Sequence, residues 1–190
     1  MSDKKGRLFI ISSPSGGGKG TVIGHIMDTE PELSLSISAT TRKPREGEEH
    51  GVSYYFITKE QFEELAESGA FLEHAKYIDE YYGTPKSPID DCIYYGRDVL
   101  LEIEVQGARQ VMEQYPEAIS VFIVPPDMQT LENRLRGRRT ESEDKLKARL
   151  DTARTELEEK IHYNHVVVND DAKRAAEEIM EIINKSKGEI

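Results

Sequence analysis

Tryptophan is absent from this chain, and cysteine occurs once, at Cys92. A single thiol excludes an intrachain disulfide and any cysteine-rich metal site, and it fits a reducing compartment. No apolar run approaches the roughly 20 residues that a membrane-crossing helix needs. Lys4 and Lys5 precede only four consecutive apolar residues, Leu8 to Ile11, too few for a secretory signal. Positive charge is in deficit, with 25 basic residues against 36 acidic ones and a formal net charge of -11. Such a field repels nucleic acid and anionic membrane surfaces, which excludes both as bulk partners. An anionic ligand must instead be drawn in by locally clustered arginines. The five histidines show no metal-ligand or triad spacing. Internal repeats, low-complexity tracts and linkers are lacking too. These absences point to a soluble cytoplasmic protein, and 190 residues suffice for one domain with a substantial core.

What is present begins with Leu8-Phe-Ile-Ile-Ser-Ser-Pro-Ser-Gly-Gly-Gly-Lys-Gly-Thr21. It reads as a buried strand running through a glycine-rich loop into a helix. Backbone N–H groups from Ser15 to Lys19 can converge there on a polyphosphate, and the helix turns its positive dipole end to the same place. Lys19 adds a point charge on a long stem. Against the phosphate-loop pattern G-x-x-x-x-G-K-S/T the chain departs twice. Ser13 stands for the first glycine, and Gly20 stands where a magnesium-binding hydroxyl belongs, with Thr21 next.

Along the rest of the chain, short apolar runs alternate with longer amphipathic ones. Leu8–Ile11, Val99–Ile103, Ile119–Val124 and Val166–Val168 read as buried strands, with Leu35–Ala39 a more polar fifth. Helical patterns cover Lys19–Met27, Gly107–Gln114, Met128–Arg136, Asp144–Tyr163 and Ala172–Ile183. In the fourth of these, Leu146, Leu150, Ala153, Leu157 and Ile161 share one stripe, and Thr140-x-x-Glu143 can cap its start. Asp170 or Asp171 serves the first turn of the last. Strand–helix alternation implies a parallel sheet with helices on both faces. The stretch Ser53–Tyr95 breaks the rhythm. Its aromatic, half-polar strands Tyr54–Ile57 and Phe71–Tyr77, with turns at Gly69 and Gly83, read as an antiparallel, partly exposed insertion. The charged turn Arg134–Arg139 and its helix form a second insertion.

Ser38-Ala-Thr-Thr-Arg-Lys-Pro-Arg-Glu-Gly-Glu48 brings Arg42 and Arg45 within reach of one phosphate dianion, on a loop stiffened by proline. On charge pattern alone a solvated basic loop is an equal alternative. Taken with Gly51-Val-Ser-Tyr-Tyr-Phe56, Glu73, Tyr81-Tyr-Gly-Thr84, Gln106-Gly-Ala108 and Val168-Asn-Asp-Asp171, the segment resembles guanylate kinase. The likeness runs in order from Leu8 to the closing helix.

That resemblance implies an α/β fold: a P-loop NTPase core with a parallel sheet flanked by helices. It adds a small mixed-strand insertion for the nucleoside monophosphate and a helical lid. The core would span about 1–37, 96–133 and 160–190, the insertion about 38–95 and the lid about 134–159. The implied reaction moves the γ-phosphoryl group of ATP to GMP, and to dGMP, in purine nucleotide metabolism, with Mg2+ accompanying ATP. Pro14, Ser15, Gly16, Gly17, Gly18, Lys19, Gly20 and Thr21 would hold ATP, with Asn169 either contacting adenine or capping the last helix. Ser38, Arg42, Arg45, Tyr54 and Tyr82 would hold the GMP phosphate, with Glu48 beside them. Glu73 and Thr84 would read the guanine edge, which offers two N–H donors beside an acceptor. Thr21 and Glu102 would serve the metal, directly or through water, and Glu104 the acceptor nucleoside. Both glutamates stand where the family has aspartates. Lys19, Arg45, Arg134, Arg138 and Arg149 would neutralise the transferring group, with Arg139 replacing a glycine of the lid. The implied assembly is a monomer or a homodimer. Two rivals remain: a related kinase with another phosphorylated acceptor, and a non-catalytic peptide-binding relative. Glu73 and Thr84 argue against the first, and the retained Lys19 against the second.

Overall fold

The computed structural model describes residues 5–77, 79–137 and 143–188. In chain order these residues form β1 (Leu8–Ser12), α1 (Lys19–Thr29), β2 (Ser34–Leu35), β3 (Ala39–Thr40), β4 (Tyr55–Phe56), α2 (Lys59–Glu67), β5 (Phe71–Tyr77) and β6 (Glu80–Pro85). There follow α3 (Lys86–Tyr94), β7 (Val99–Glu102), α4 (Val105–Gln114), β8 (Ile119–Val124), α5 (Met128–Arg136), α6 (Glu143–Glu158), β9 (His165–Val168) and α7 (Ala172–Lys187). The expected α/β class holds. A five-stranded parallel sheet runs in the order β2-β7-β1-β8-β9, and a separate four-stranded mixed sheet runs β4-β3-β6-β5. Among the described residues no helix is long and apolar enough to cross a membrane.

The chain divides into two compact units. One takes the chain up to Leu8, Glu32–Leu101 and Gln106–Ala118. In it β5 and β6 form an antiparallel hairpin, β6 pairs antiparallel with β3, and β3 pairs parallel with β4. Phe62 of α2 stacks on Phe71 at 4.6 Å and on Tyr81 at 5.3 Å, giving this sheet its own small core with Ala39. Each such ring pair adds about 0.5–1.5 kcal/mol beyond the area it buries.

Four local readings change in this unit, the first being that the Tyr54–Ile57 run, expected to be antiparallel, pairs parallel with β3 through Tyr55 and Phe56. Leu35–Ala39 is not one strand. Ser34 and Leu35 pair with Val99 and Leu100, after which the chain leaves that sheet and Ala39 joins Tyr55 in the other. Gly83 is not a turn but lies mid-strand, opposite Ala39 and His74. Gly69 does turn the chain, at φ 69°. The insertion also holds two helices, α2 and α3, that apolar periodicity does not announce. A capping box starts α2, with Thr58 Oγ1 accepting from Gln61 N and Gln61 Oε1 from Thr58 N.

The other unit takes Phe9–Pro31, Glu102–Val105 and the chain from Ile119 on. Here β1, β8 and β9 lie side by side and parallel. Helix α1 packs on α7, with Val22, Ile23 and Ile26 buried on one helix and Ala175, Ala176, Ile179 and Ile183 on the other. The two alanines let the backbones approach closely. Leu131 and Leu135 of α5 cluster with Leu146 and Ala153 of α6. The stripe on α6 stops short of Ile161, which is 77% exposed because Glu159–His162 tightens into a 3-10 turn. Strand β9 buries only Val167, since it is the sheet's edge and Val166 and Val168 face solvent. Thr140, the expected cap of α6, lies outside the described residues.

Candidate active site

The glycine-rich loop follows β1, whose five residues are all buried. Gly17 N donates to Pro14 O at 2.9 Å, closing a tight turn. Gly16 and Gly18 take φ of 83° and 86°, where any other L-residue is strained. Gly18 also has no room for a side chain, because a Cβ there would stand 2.5 Å from Asn169 Nδ2.

Asn169 follows β9 and is 2% exposed. Its side chain donates to Gly17 O at 2.8 Å, and its own carbonyl accepts from Arg134 Nη2 at 2.8 Å. Arg134, in the last turn of α5, also donates from Nη1 to Gly17 O at 3.3 Å. With that carbonyl drawn to two donors, the planar trans peptide turns Gly18 N–H to the opposite side. The first-turn amides of α1 have no carbonyl one turn back, so they too are oriented for an anion. Helix capping of α7 falls to Asp171, which accepts from Arg174 N at 2.9 Å. Asn169 therefore braces the loop.

Lys19 opens α1, and its Nζ donates to Ile103 O at 2.9 Å. Glu102 Oε1, at the end of β7, lies 3.9 Å from the same nitrogen. A Cβ built on Gly20 would stand 3.7 Å from that oxygen, so the first turn of α1 faces the Glu102 carboxylate. Thr21 is exposed in the same turn.

Helix α6 reaches the loop with two side chains. Arg149 Nη2 donates to Ser15 Oγ at 2.8 Å, and Glu156 Oε2 accepts from Ser15 N at 2.9 Å. Burial pushes the Glu156 carboxyl upward, as does the charge of Glu104. The Ser15 N–H, Lys19 and Arg149 pull it back. Glu104 itself is exposed just before α4 and belongs to this unit, apart from the other acceptor-side candidates. Arg138 and Arg139 lie outside the described residues. Glu156 has no motif to announce it. The one trace is its spacing of seven from Arg149, two helical turns along one face of α6.

The acceptor candidates assemble in the first unit. Arg42 forks onto Glu48, Nη1 to Oε2 at 2.9 Å and Nη2 to Oε1 at 2.8 Å. Arg45 N donates to Glu48 Oε2 at 2.7 Å, while the Arg45 side chain is exposed. The Arg42 fork, then the Arg45 N–H, hold the Glu48 carboxyl down at about 2, and Glu48 in turn raises the guanidinium. The Arg42 guanidinium also sits 5.4 Å from the Tyr54 ring centre and 5.9 Å from that of Phe56. Tyr54 and Tyr82 meet edge to face at 6.2 Å.

Beside this cluster, Glu73 and Thr84 face each other across the β5–β6 ladder. Glu73 is only 8% exposed, and its Oε1 accepts from Thr84 Oγ1 at 2.6 Å. Ser38 Oγ lies 3.5 Å from the same hydroxyl. A hydroxyl has one proton, and here it goes to Glu73. The other carboxylate oxygen lies over Gly107 in α4, where a Cβ would come within 2.5 Å of Oε2. A carboxylate held this way presents an acceptor edge, the complement of paired N–H donors.

The chain has known counterparts. The model of the guanylate kinase family matches residues 5–186. The guanylate kinase of Clostridioides difficile (strain 630) is 46% identical over 190 residues, covering 100% of this chain and 93% of that protein. The guanylate kinase of Caldanaerobacter subterraneus subsp. tengcongensis is 48% identical, covering 97% of this chain and 89% of that one. Among solved structures, guanylate kinase from Anaplasma phagocytophilum matches with a TM-score of 0.80 at 33% identity, over 97% of this chain and 87% of that one.

Proposed function

The chain belongs to the guanylate kinase family, and on that footing we propose that it transfers the γ-phosphoryl group of ATP to GMP, and to dGMP, giving ADP and the diphosphate. The observation that carries the acceptor's identity is the buried Glu73–Thr84 pair. Its carboxylate matches guanine's N1–H and N2–H, whereas adenine would leave it badly paired, a mismatch that can cost several orders of magnitude in selectivity. Ser38, Arg42, Arg45, Tyr54 and Tyr82 bind the acceptor phosphate in this reading, and Glu48 holds Arg42 in place. The loop from Pro14 to Thr21 binds the donor, with Asn169 on the adenine side. The division into core, monophosphate-binding insertion and lid belongs to the same proposal, as does a cytoplasmic place in purine nucleotide recycling.

The attacking group is a phosphate oxygen already ionised at neutral pH, so the chain needs no general base. Its work is to align two anions, exclude water and neutralise charge on the group in transit. Lys19, Arg45, Arg134, Arg138 and Arg149 supply the positive charge. Mg2+ fits as a companion of ATP. Glu102, whose carboxylate faces the first turn of α1, would help hold such an ion, directly or through water. Thr21 offers the nearby hydroxyl that Gly20 lacks. When bound, the ion withdraws charge from the phosphates.

A coupled ADP-release assay with ATP and Mg2+ tests the reading, comparing GMP with AMP, CMP, UMP and a ribose bisphosphate. Turnover with GMP above all others is expected, and no turnover with GMP would refute it. Lys19→Met should abolish transfer with the circular dichroism spectrum unchanged. An active variant would remove the loop from the ATP site.

A further inference from the structure

The contact between Glu156 and Ser15 is not explained by phosphate binding. An amide at the start of a phosphate loop is the last place where electrostatics alone would put a carboxylate, because the incoming ligand is an anion. The carboxyl is also half-buried and pushed toward its neutral form by desolvation. Exposed on the far side of α6 it would keep its full hydration, so the contact must serve geometry.

We propose that Glu156 is a positioning residue for phosphoryl transfer, tying α6 to the phosphate loop so that Arg149 stays aimed at the group in transit. The inference rests on the phosphoryl-transfer reading above. Two side chains two helical turns apart grip the same loop residue. Glu156 takes the Ser15 backbone N–H at 2.9 Å, and Arg149 takes the Ser15 hydroxyl at 2.8 Å. The apolar side of α6 is fixed separately, by Leu146 and Ala153 on Leu131 and Leu135 of α5. Packing sets the helix's place, and the Glu156 bond sets its rotation and slide against the loop. The grip takes the Ser15 N–H out of the set expected from Ser15 to Lys19 to face the phosphate, and it leaves the later ones alone: Gly18 N–H is turned outward by the bonds to Gly17 O, and the first turn of α1 is untouched. Glu156 thus acts on the alignment of a catalytic cation and not on nucleotide affinity.

Three variants separate geometry from charge. Glu156→Gln keeps an acceptor oxygen in place and loses the charge. Glu156→Asp keeps the charge and draws the carboxylate back by one methylene. Glu156→Ala loses both. Alanine and aspartate should lower kcat by about tenfold or more with both KM values within about threefold, since small misplacements of an aligned group act on the transition state. Glutamine should restore at least half of the parental kcat. Amide exchange at Ser15, followed without substrate, should speed up in the alanine and aspartate variants and stay slow in the glutamine one. Parental kcat in Glu156→Asp, equal loss in Glu156→Gln and Glu156→Asp, or both KM values rising in step with a lower thermal midpoint would each overturn the inference. A parent inactive toward GMP whose Glu156→Asp variant still exchanges faster at Ser15 would sink the kinase reading while upholding the tether. An active parent with unchanged exchange would sink the tether alone.

Discussion

At the scale of single residues, Arg42 and Glu48 show how a group proposed to bind phosphate is held ready. Two parallel N–H···O bonds lock the guanidinium plane, so less side-chain entropy remains to be lost when a phosphate arrives. The carboxyl titrates at about 2 in the fold against an ordinary 4.5. A depressed carboxyl contributes its stability in full above the unfolded value and loses it as pH falls through the folded one. The contribution of Glu48 should therefore fade between about pH 4.5 and about pH 2. Thermal midpoints of the parent and Glu48→Gln, compared across that window, should converge as pH drops; a constant gap would contradict the assignment. Much at this scale is legible in the sequence. Arginines flanking Lys-Pro, a lysine after three glycines and a glutamate ahead of Tyr-Tyr-Gly-Thr each carry their chemistry in type and spacing. What is not legible is which donor each acceptor chooses. Thr84 gives its proton to Glu73, and Ser15 gives its amide to Glu156, because of neighbours 11 and 141 positions away in sequence.

At the scale of elements, α4 is the support on which the Glu73 carboxylate, proposed to read the base, rests. Gly107 sits in the helix's first turn, and its missing side chain is the space that Glu73 fills. Gly107→Ala would gain roughly 0.5–1 kcal/mol in helix propensity but would place a methyl carbon 2.5 Å from Glu73 Oε2 and 2.8 Å from its Cδ, so the carboxylate must shift. GMP KM should rise about tenfold or more, as expected when a buried polar reader is displaced, with ATP KM unchanged. Equal changes in both constants would show that α4 does not bear on base reading. Apolar periodicity finds the elements with one buried face, α5 and α7 among them, and the apolar runs β1 and β8. It misses α2, where Phe62 is the sole buried residue. The capping pattern Thr58-x-x-Gln61 is the signal that marks that helix. Strand β9 shows the opposite failure: a run of three valines reads as buried, yet an edge strand covers only one of its faces.

At the scale of the molecule, ligands that bind only the native state stabilise it by mass action. GMP at 100 times its dissociation constant contributes about 2.7 kcal/mol, which for a chain of this size raises the thermal midpoint by roughly 5–10 °C. CMP should give no shift, and Glu73→Gln should lose most of the GMP shift at the same concentration. A shift equal in parent and variant would place the base elsewhere. The fold class is legible at this scale because strand–helix alternation permits few topologies, and the aromatic stretch after Ser53 announces a second sheet. Lid arginines 138 and 139 remain readings of the sequence alone. The net charge of -11 also meets its local counterpart in Glu48 and Glu102, each beside a cation assigned to phosphate. A carboxylate fixed to the chain acts at an effective concentration that free chloride or sulfate rarely matches. Under the proposed function, small inorganic anions should therefore compete poorly for either cation. A polyphosphate, or a phosphate that brings its base along, has further contacts with which to outcompete the built-in counter-ion.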